Sequence, residues 1–168
     1  MTPGDGMAVE VGPAREEEFT ALATLLVAAY RSVDPPVREE YVPVLGDIAG
    51  RAADSHRLVL CARLHGRAVG CATVVTGGGE LPEDAVQLRM LGVDPSARGH
   101  GAGRALVLAT IAVARRLGRH RVMLDTQAHM LAAQSIYRSL GFVRHPERDR
   151  MVPDTDVFLL AHELILEG

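Results

Sequence analysis

The stretch VDPSARGHGAGRALVLATIAVARRLG, residues 93–118, decides the fold. It places glycines at positions 99, 101 and 103 among basic residues and leads directly into a long apolar helix pattern. Glycine admits a close approach to the backbone, and the first amides of a helix have no intrahelical acceptor. The pattern therefore predicts a turn whose free N–H groups, at the positive end of the helix dipole, bind an anion.

Two known phosphate-binding loops do not fit this stretch. A P-loop requires Lys and a hydroxyl residue after its second glycine, whereas counting from Gly99 or Gly101 leads to Arg104 and Leu106. A dinucleotide fingerprint requires glycines at offsets 0, 2 and 5, and the third position is again Arg104 or Leu106. The turn is therefore predicted to hold a diphosphate on its amides. A glycine-rich helix cap without a ligand is the alternative that spacing alone leaves open.

Length and composition indicate one soluble domain. The chain has 168 residues, of which 48% are hydrophobic and 23% charged, and it has no apolar run approaching the roughly 18 residues of a membrane span. Residues 1–7 are predicted to be a flexible N-terminus and residues 8–168 a single domain. The absence of a secretory signal pattern favours a cytoplasmic location. A net charge of -3 argues against a nucleic-acid partner.

The two cysteines, Cys61 and Cys71, are too few for a disulfide framework and lack metal-site spacing. They are predicted to be packed, reduced thiols, and no metal site is predicted. Whether the two thiols face each other depends on whether the turn between their strands holds two or three residues.

The hydrophobic pattern predicts the element order β α α β β β α β α β, with an extra strand near FVRHP left open. The clearest hairpin is RLVLCARLHGRAVGCATVVT, residues 57–76, and VQLRMLGV adds a third strand in a meander. The strand-helix-strand unit that follows must return parallel and right-handed. The fold class is therefore α/β, with a mixed, mostly antiparallel central sheet and helices on both faces.

Two stretches resemble the GCN5-related N-acetyltransferase (GNAT) superfamily. Residues 98–103, Arg-Gly-His-Gly-Ala-Gly, match the family's Arg/Gln-x-x-Gly-x-Gly/Ala signature and begin five residues after an LGV strand end. Residues 132–142, AAQSIYRSLGF, resemble the family's late helix, which ends in Tyr, three residues and Gly-Phe. The element order also agrees with that fold from about Val9 onward. The resemblance implies a GNAT-like fold and acetyltransferase activity.

The resemblance implies acetyl-CoA as the cofactor. In the family its pyrophosphate lies on the amides of the signature, and its pantetheine arm runs along the strand matching MLGV. The implied cofactor-binding residues are Leu91, Gly92, Val93, Arg98, Gly99, His100, Gly101, Ala102, Gly103 and Arg104. Gly92 suits this role because a glycine within a strand marks a bulge or a close backbone approach, and a simple kink is its alternative.

The resemblance also implies how acetyl transfer is catalysed. In the family the amide matching Val93 stabilises the developing oxyanion, and a Tyr hydroxyl protonates the leaving thiolate. Tyr137 holds that position and is the candidate catalytic residue. Its alternative is a core aromatic on an amphipathic helix that also carries Leu131, Ile136 and Leu140.

The proton acceptor departs from the family pattern. Many members carry Glu four residues before the position of Leu91, where this chain has Gln87, and an amide cannot accept the proton of the amine. No general base is therefore predicted. Met130 also replaces an Asn that members often have. His129, beside it, either reaches the acceptor or is exposed on the surface.

The acceptor is expected between two loops, SVDPPVREEYVP at residues 32–43 and GGGELPED at residues 77–84. Their acids predict an acidic mouth for a cationic amine. These acids are Asp34, Glu39, Glu40, Glu80, Glu83 and Asp84.

The resulting prediction is an acetyl-CoA-dependent N-acetyltransferase acting on a primary amine of a small molecule. Two alternatives stay open, a protein lysine or N-terminal acetyltransferase and a non-catalytic acetyl-CoA-binding sensor. A homodimer is a further prediction, because the closing strand DVFLLAHELIL is long and apolar and would need a partner along its edge or its face.

Overall fold

The computed structural model describes residues 8–167, so the predicted flexible segment 1–7 lies outside the described residues. The strands are β1 (Glu10–Pro13), β2 (Arg57–Leu64), β3 (Arg67–Val75), β4 (Ala85–Val93), β5 (Arg121–Thr126), β6 (Val143–Arg144), β7 (Arg150–Met151) and β8 (Phe158–Ile165). The helices are α1 (Phe19–Arg31), α2 (Val42–Gly46), α3 (Ile48–Ala53), α4 (Ala102–Arg116) and α5 (Leu131–Ser139). Within residues 8–167 no helix combines the length and apolarity needed to cross a bilayer.

The strands form one mixed sheet in the order β1-β2-β3-β4-β5-β8-β6, and β7 pairs with β8 beyond β6. The pair β4 and β5 is parallel, and the other pairs are antiparallel. The parallel pair is the strand-helix-strand unit around α4 that the sequence predicts. The predicted fold class is therefore confirmed.

Helices cover both faces of the sheet and create two apolar cores. On one face, Leu22 and Leu26 of α1 pack with Leu45 of α2 and Ile48 of α3. On the other face, α4 and α5 pack against the central strands, with Leu106 fully buried. Burying a leucine side chain of this kind contributes about 1.5–3 kcal/mol, so each helix is attached mainly by its apolar face.

Three local features can be compared with the sequence predictions: the β2–β3 turn, the second helix and the short strands after α5. His65 and Gly66 both adopt positive φ, so the β2–β3 turn has two residues, as in the turns that match strand twist. The predicted second helix is two helices, because the Asp47 side chain accepts a hydrogen bond from the Gly50 amide and starts α3 anew. The extra strand near FVRHP is confirmed as β6, whereas β7 has only two residues and was not predicted.

The two cysteines are direct cross-strand partners on β2 and β3. Both are fully buried as free thiols. Burial raises the pKa of each thiol to about 12, so neither is a reactive thiolate at neutral pH. They face each other in the core beneath α1.

The closing strand β8 has partners along both edges. It pairs with β5 on one side and with β6 and β7 on the other. The free edge is therefore no longer a reason to expect a second copy of the chain, and the homodimer itself stays a prediction. The two short strands cover that edge because the chain turns back after α5.

Candidate active site

The glycine-rich turn has the geometry of an anion site. Gly99 and Gly101 adopt φ values of +88° and +79°, and Gly101 is the N-cap of α4. L-residues with a side chain rarely adopt these angles, so conformation requires glycine there. No side chain within the described residues caps the helix, and its first amides are left for a ligand.

Two arginines of the predicted cofactor site flank this turn. Arg98 Nη2 donates to Ser32 Oγ at 2.7 Å, and Arg104 Nη1 donates to Ser139 Oγ at 2.9 Å. Both arginines are exposed, as is His100 between them. Each serine fixes one end of a guanidinium at the N-terminus of α4, and the positive charges add to the helix dipole.

Gly103 lets three elements meet at the start of α4. A Cβ on this residue would lie 3.1 Å from Ile136 Cδ1 of α5 and 3.7 Å from Val93 Cγ2 of β4. Ala102 beside it is buried. The signature therefore brings the end of β4 and the helix of Tyr137 to the same turn.

Gly92 makes room for helix α1. A Cβ on Gly92 would lie 2.7 Å from Leu26 Cδ1 and 3.2 Å from Ala29 Cβ. A side chain there would force either the buried Leu26 side chain or α1 itself to shift. Gly92 thus permits a close approach to the strand, and among the described residues the element that approaches it is helix α1.

Strand β4 leaves its parallel neighbour halfway along its length. Among the described residues β5 pairs with β4 only over Ala85–Leu88, and residues 89–93 have no strand on that side. Just past the last pair, one residue of β3, Ala72, faces two of β4, Met90 and Leu91, and Met90 adopts φ 52°. This bulge bends β4 away from β5 and opens a gap in the sheet.

The main chain of Leu91 and Val93 faces this gap. The amide of Asp94 donates to the Val69 carbonyl of β3 at 2.8 Å, and the Gly92 carbonyl oxygen also lies against β3. Because hydrogen-bonding direction alternates along an antiparallel strand, the amides and carbonyls of Leu91 and Val93 point the other way. They form an open strand edge that leads to the glycine turn.

Tyr137 lies in the core beside this junction. Its side chain is 4% exposed, and its ring lies 5.7 Å from that of Phe142 and 6.0 Å from that of His162, measured between centroids. Burial raises the pKa of the phenol above its usual value of 10.0. Tyr137 therefore stays protonated at neutral pH, the state that a proton donor needs.

A cavity of about 710 Å³ adjoins the gap between β4 and β5. The connection between α1 and α2 forms one wall, as predicted, and residues from segment 150–159 form a second wall that meets it at the Arg38–Asp156 ion pair. Gln87 to Met90 and Asp125 to Met130 line the side towards the sheet. A volume of this size accommodates a small molecule.

The cavity contains few of the acids that the sequence analysis places there. Of the six, Glu40 alone lines it. Glu39 pairs with Arg31 at 2.9 Å, and Asp84 pairs with Arg121 at 2.6 Å. The loop of residues 77–84 does not line the cavity, because it joins β3 to the start of β4, away from the gap. Among the described residues, Asp125, Asp154 and Asp156 are the other carboxylates that line the cavity, so the prediction is wrong for five of the six acids.

His129 and Gln87 both line the cavity. His129 is half-buried, so of its two alternatives the one that reaches the acceptor side is supported. The Gln87 side-chain oxygen accepts a hydrogen bond from Arg89 Nε at 2.9 Å. No group of three or more potential metal ligands occurs within residues 8–167.

Sequence reasoning missed several charged residues of the cavity, among them Arg89 and Asp125. Arg89 lies on β4 directly after its last pairing with β5, and Asp125 lies at the end of β5, in an ion pair of 2.9 Å with Arg150. The sequence did contain a signal for these two site residues, because each is a charged residue that follows a short apolar stretch of its strand. The gap that makes them neighbours depends on the bulge at Met90, which the sequence does not reveal.

Fold and site together define a mixed sheet in which two parallel strands separate, and the open edge of β4 leads to the uncapped N-terminus of α4. The model of the acetyltransferase (GNAT) family matches residues 19–142, which is most of the chain. Glucosamine 6-phosphate N-acetyltransferase of Trypanosoma brucei brucei is 30% identical over 143 residues, covering 80% of this chain and 90% of that protein. The chain belongs to the GNAT family, and the resemblance found in its sequence is confirmed.

Two further relatives define how far this similarity extends. Mycothiol acetyltransferase of Geodermatophilus obscurus is 43% identical over 68 residues, which is 40% of this chain but only 22% of that protein. The chain thus spans about a fifth of that longer relative. The PaiA N-acetyltransferase of Thermoplasma acidophilum, solved with coenzyme A, shares the fold with a TM-score of 0.70 and 16% identity, covering 92% of this chain and 98% of that one.

Proposed function

We propose that the protein is an acetyl-CoA-dependent N-acetyltransferase that acetylates a primary amine of a small molecule. The observation that carries this proposal is the continuous path from the open edge of β4 to the uncapped amides of α4. An extended thioester arm fits a strand edge, and a pyrophosphate fits a helix N-terminus. Glucosamine 6-phosphate and mycothiol in the names of the relatives support a small-molecule acceptor.

The predicted site residues fit acetyl-CoA in their donor chemistry. The amides from Gly99 to Arg104 would hold the pyrophosphate, with Arg98 and Arg104 adding charge. Leu91 and Val93 would bind the pantetheine arm through their main chain, in place of the absent strand pairing. When bound, acetyl-CoA supplies an acetyl group activated as a thioester.

The residues of the chain would position and protonate the reacting groups. The Val93 amide faces the gap and would donate to the acetyl oxygen, where negative charge develops. Tyr137, one residue beyond Ile136 at the Gly103 contact, would donate its proton to the departing sulfur. The cavity beside Met90 would hold the amine.

The shape of the cavity favours a small acceptor over a protein. Residues from segments 33–41 and 150–159 line it and are joined by the Arg38–Asp156 ion pair, and its volume of about 710 Å³ lies in the range of small-molecule sites. A lysine peptide would need a groove that stays open at both ends. Acetylation of lysine peptides in preference to free amines would contradict this part of the proposal.

Thiol release and calorimetry together test the activity. The purified chain is titrated with acetyl-CoA and then assayed for thiol release with amino acids, amino sugars, polyamines, aminoglycosides and lysine peptides. We expect saturable acetyl-CoA binding and turnover with one class of free amine. Failure to bind acetyl-CoA at millimolar concentration would contradict the proposal.

A second candidate function is a non-catalytic acetyl-CoA sensor. Gln87 favours it, because an amide replaces the acidic base of many members and is hydrogen-bonded to Arg89. Binding of acetyl-CoA without thiol release on the whole panel would favour the sensor over the enzyme.

A further inference from the structure

The cavity beside the gap contains three arginines among the described residues, and two of them are paired with carboxylates. Arg38 lies 2.9 Å from Asp156 and 3.7 Å from Glu40. Arg150 lies 2.9 Å from Asp125. The paired arginines are therefore largely neutralised by residues of the chain.

Arg89 is the third arginine and has no carboxylate within 4 Å among the described residues. Its Nε donates to Gln87 Oε1 at 2.9 Å, which leaves Nη1 and Nη2 without a described partner. Both residues line the cavity, two positions apart on the same side of β4. Gln87 thus fixes one edge of the guanidinium and leaves its terminal nitrogens for a ligand.

Four carboxylates among the described residues line the same cavity, but none of them pairs with Arg89. They are those of Glu40, Asp125, Asp154 and Asp156. Burial, followed by the charge of Arg57, lowers the pKa of its guanidinium, and Arg150 acts in the same direction. The charge of Asp125 raises the pKa of Arg89, but the Asp125 carboxylate is already in an ion pair with Arg150. Arg89 is exposed to the cavity, and an anionic group on a ligand there would offset the positive charges of Arg57 and Arg150. A guanidinium binds carboxylate or phosphate in a two-point geometry.

We propose that the acceptor carries an anionic group, a carboxylate or a phosphate, in addition to its amine, and that Arg89 binds that group. Gln87 is a positioning residue that orients Arg89. The inference rests on the proposed function, because it assigns the cavity beside the gap to the acceptor. The cationic amine expected from the sequence is thereby replaced by an amine that also carries an anionic group.

Matched acceptor pairs test the anionic group and its chemical source. Glucosamine is compared with glucosamine 6-phosphate, and an α-amino acid with its amide. We expect the anionic member of at least one pair to have the lower KM, by about 10- to 100-fold. Preference within the sugar pair identifies phosphate, and preference within the amino-acid pair identifies carboxylate. A lower KM for both neutral members would overturn the proposal.

Substitutions of Arg89 test the residue. Arg89→Gln is expected to raise KM for the anionic acceptor by about 10- to 100-fold, with less effect on its neutral counterpart and on acetyl-CoA. Arg89→Lys should restore part of the loss, because it keeps the charge without the planar fork. Arg116→Gln removes a charge from the exposed last turn of α4 and serves as the control. An equal rise in KM for both members of the pair would contradict a role in anion binding.

Binding measurements separate this inference from the proposed activity. If no acceptor is turned over, saturation-transfer NMR with the same pairs still reports which amines bind in the presence of coenzyme A. Binding of the anionic member that Arg89→Gln abolishes would support the acceptor class even without activity. Absence of binding for every anionic member would overturn the inference.

Discussion

Gly92 shows how one missing side chain sets the distance between a helix and the sheet. Gly92→Ala is expected to lower the free energy of unfolding by about 1–3 kcal/mol, because the new Cβ would lie 2.7 Å from Leu26 Cδ1. Gly46→Ala is the matched control, since a Cβ there would have no heavy atom within 4 Å. It should change stability by about 0.5 kcal/mol or less. Urea unfolding measures both, and equal effects would refute the packing argument.

Tyr137 carries the prediction about proton donation. Tyr137→Phe keeps the ring contacts with Phe142 and His162 but removes the hydroxyl. We expect kcat to fall about 100-fold while KM for acetyl-CoA and the melting temperature stay close to wild type. Steady-state thiol release and a thermal melt measure these values. Unchanged kcat would assign Tyr137 to the core alone.

At the scale of elements, helix α4 has a left-handed glycine at each end. Gly101 at its start and Gly118 after its end adopt φ values of +79° and +69°, and neither has a neighbour within 4 Å of a Cβ. Alanine at either position should destabilise the protein by about 1–2 kcal/mol through the same backbone strain. The two substitutions therefore form a matched pair.

The two ends of α4 differ in what they are proposed to bind. Gly101→Ala should also raise KM for acetyl-CoA about 10-fold, because it displaces the amides that face the pyrophosphate. Gly118→Ala should leave that KM unchanged. Initial-rate kinetics with varied acetyl-CoA compare them. A similar KM for both variants would remove the proposed role of the turn at Gly101.

The elements differ in how well the sequence predicts them. The β2–β3 hairpin follows from two apolar strand patterns on either side of a glycine-containing turn. Helix α4 follows from its helical apolar period and from the glycine-rich turn before it. The division between α2 and α3 depends on one side-chain hydrogen bond, from the Gly50 amide to Asp47. Strands β6 and β7 have two residues each and exist because β8 lies beside them. Such elements have no local periodicity to detect.

At the scale of the whole molecule, an ion pair connects the start of α1 to the sheet. Arg63 of β2 donates to both carboxylate oxygens of Glu18, and the closest contact, between Arg63 Nη2 and Glu18 Oε1, is 2.6 Å. The hydrogen bonds from Arg63 lower the pKa of Glu18 from 4.5 to about 2. A carboxyl whose pKa is depressed on folding stabilises the folded state above its unfolded pKa.

This ion pair predicts the acid stability of the protein. The free energy of unfolding should fall as the pH decreases from about 4.5 to about 2, because Glu18 becomes protonated. Glu18→Gln should lower stability by about 2 kcal/mol at pH 7 and flatten that decrease. Glu17→Gln alters the exposed neighbour in the same turn and should behave as wild type. Denaturant unfolding from pH 7 to pH 2 tests this. A Glu18→Gln profile parallel to wild type would contradict it.

The sequence by itself determined the order of the strands and helices and the glycine turn before α4, because each depends on residues close together in the chain. Only the tertiary structure decided which charges line the cavity. It brings Arg89 of β4 and Asp125 of β5 to one gap, and it places Asp84 with Arg121 away from that gap. The reason is the bulge at Met90, where β4 leaves β5. Charges far apart in sequence acquire their neighbours only when the strands separate there.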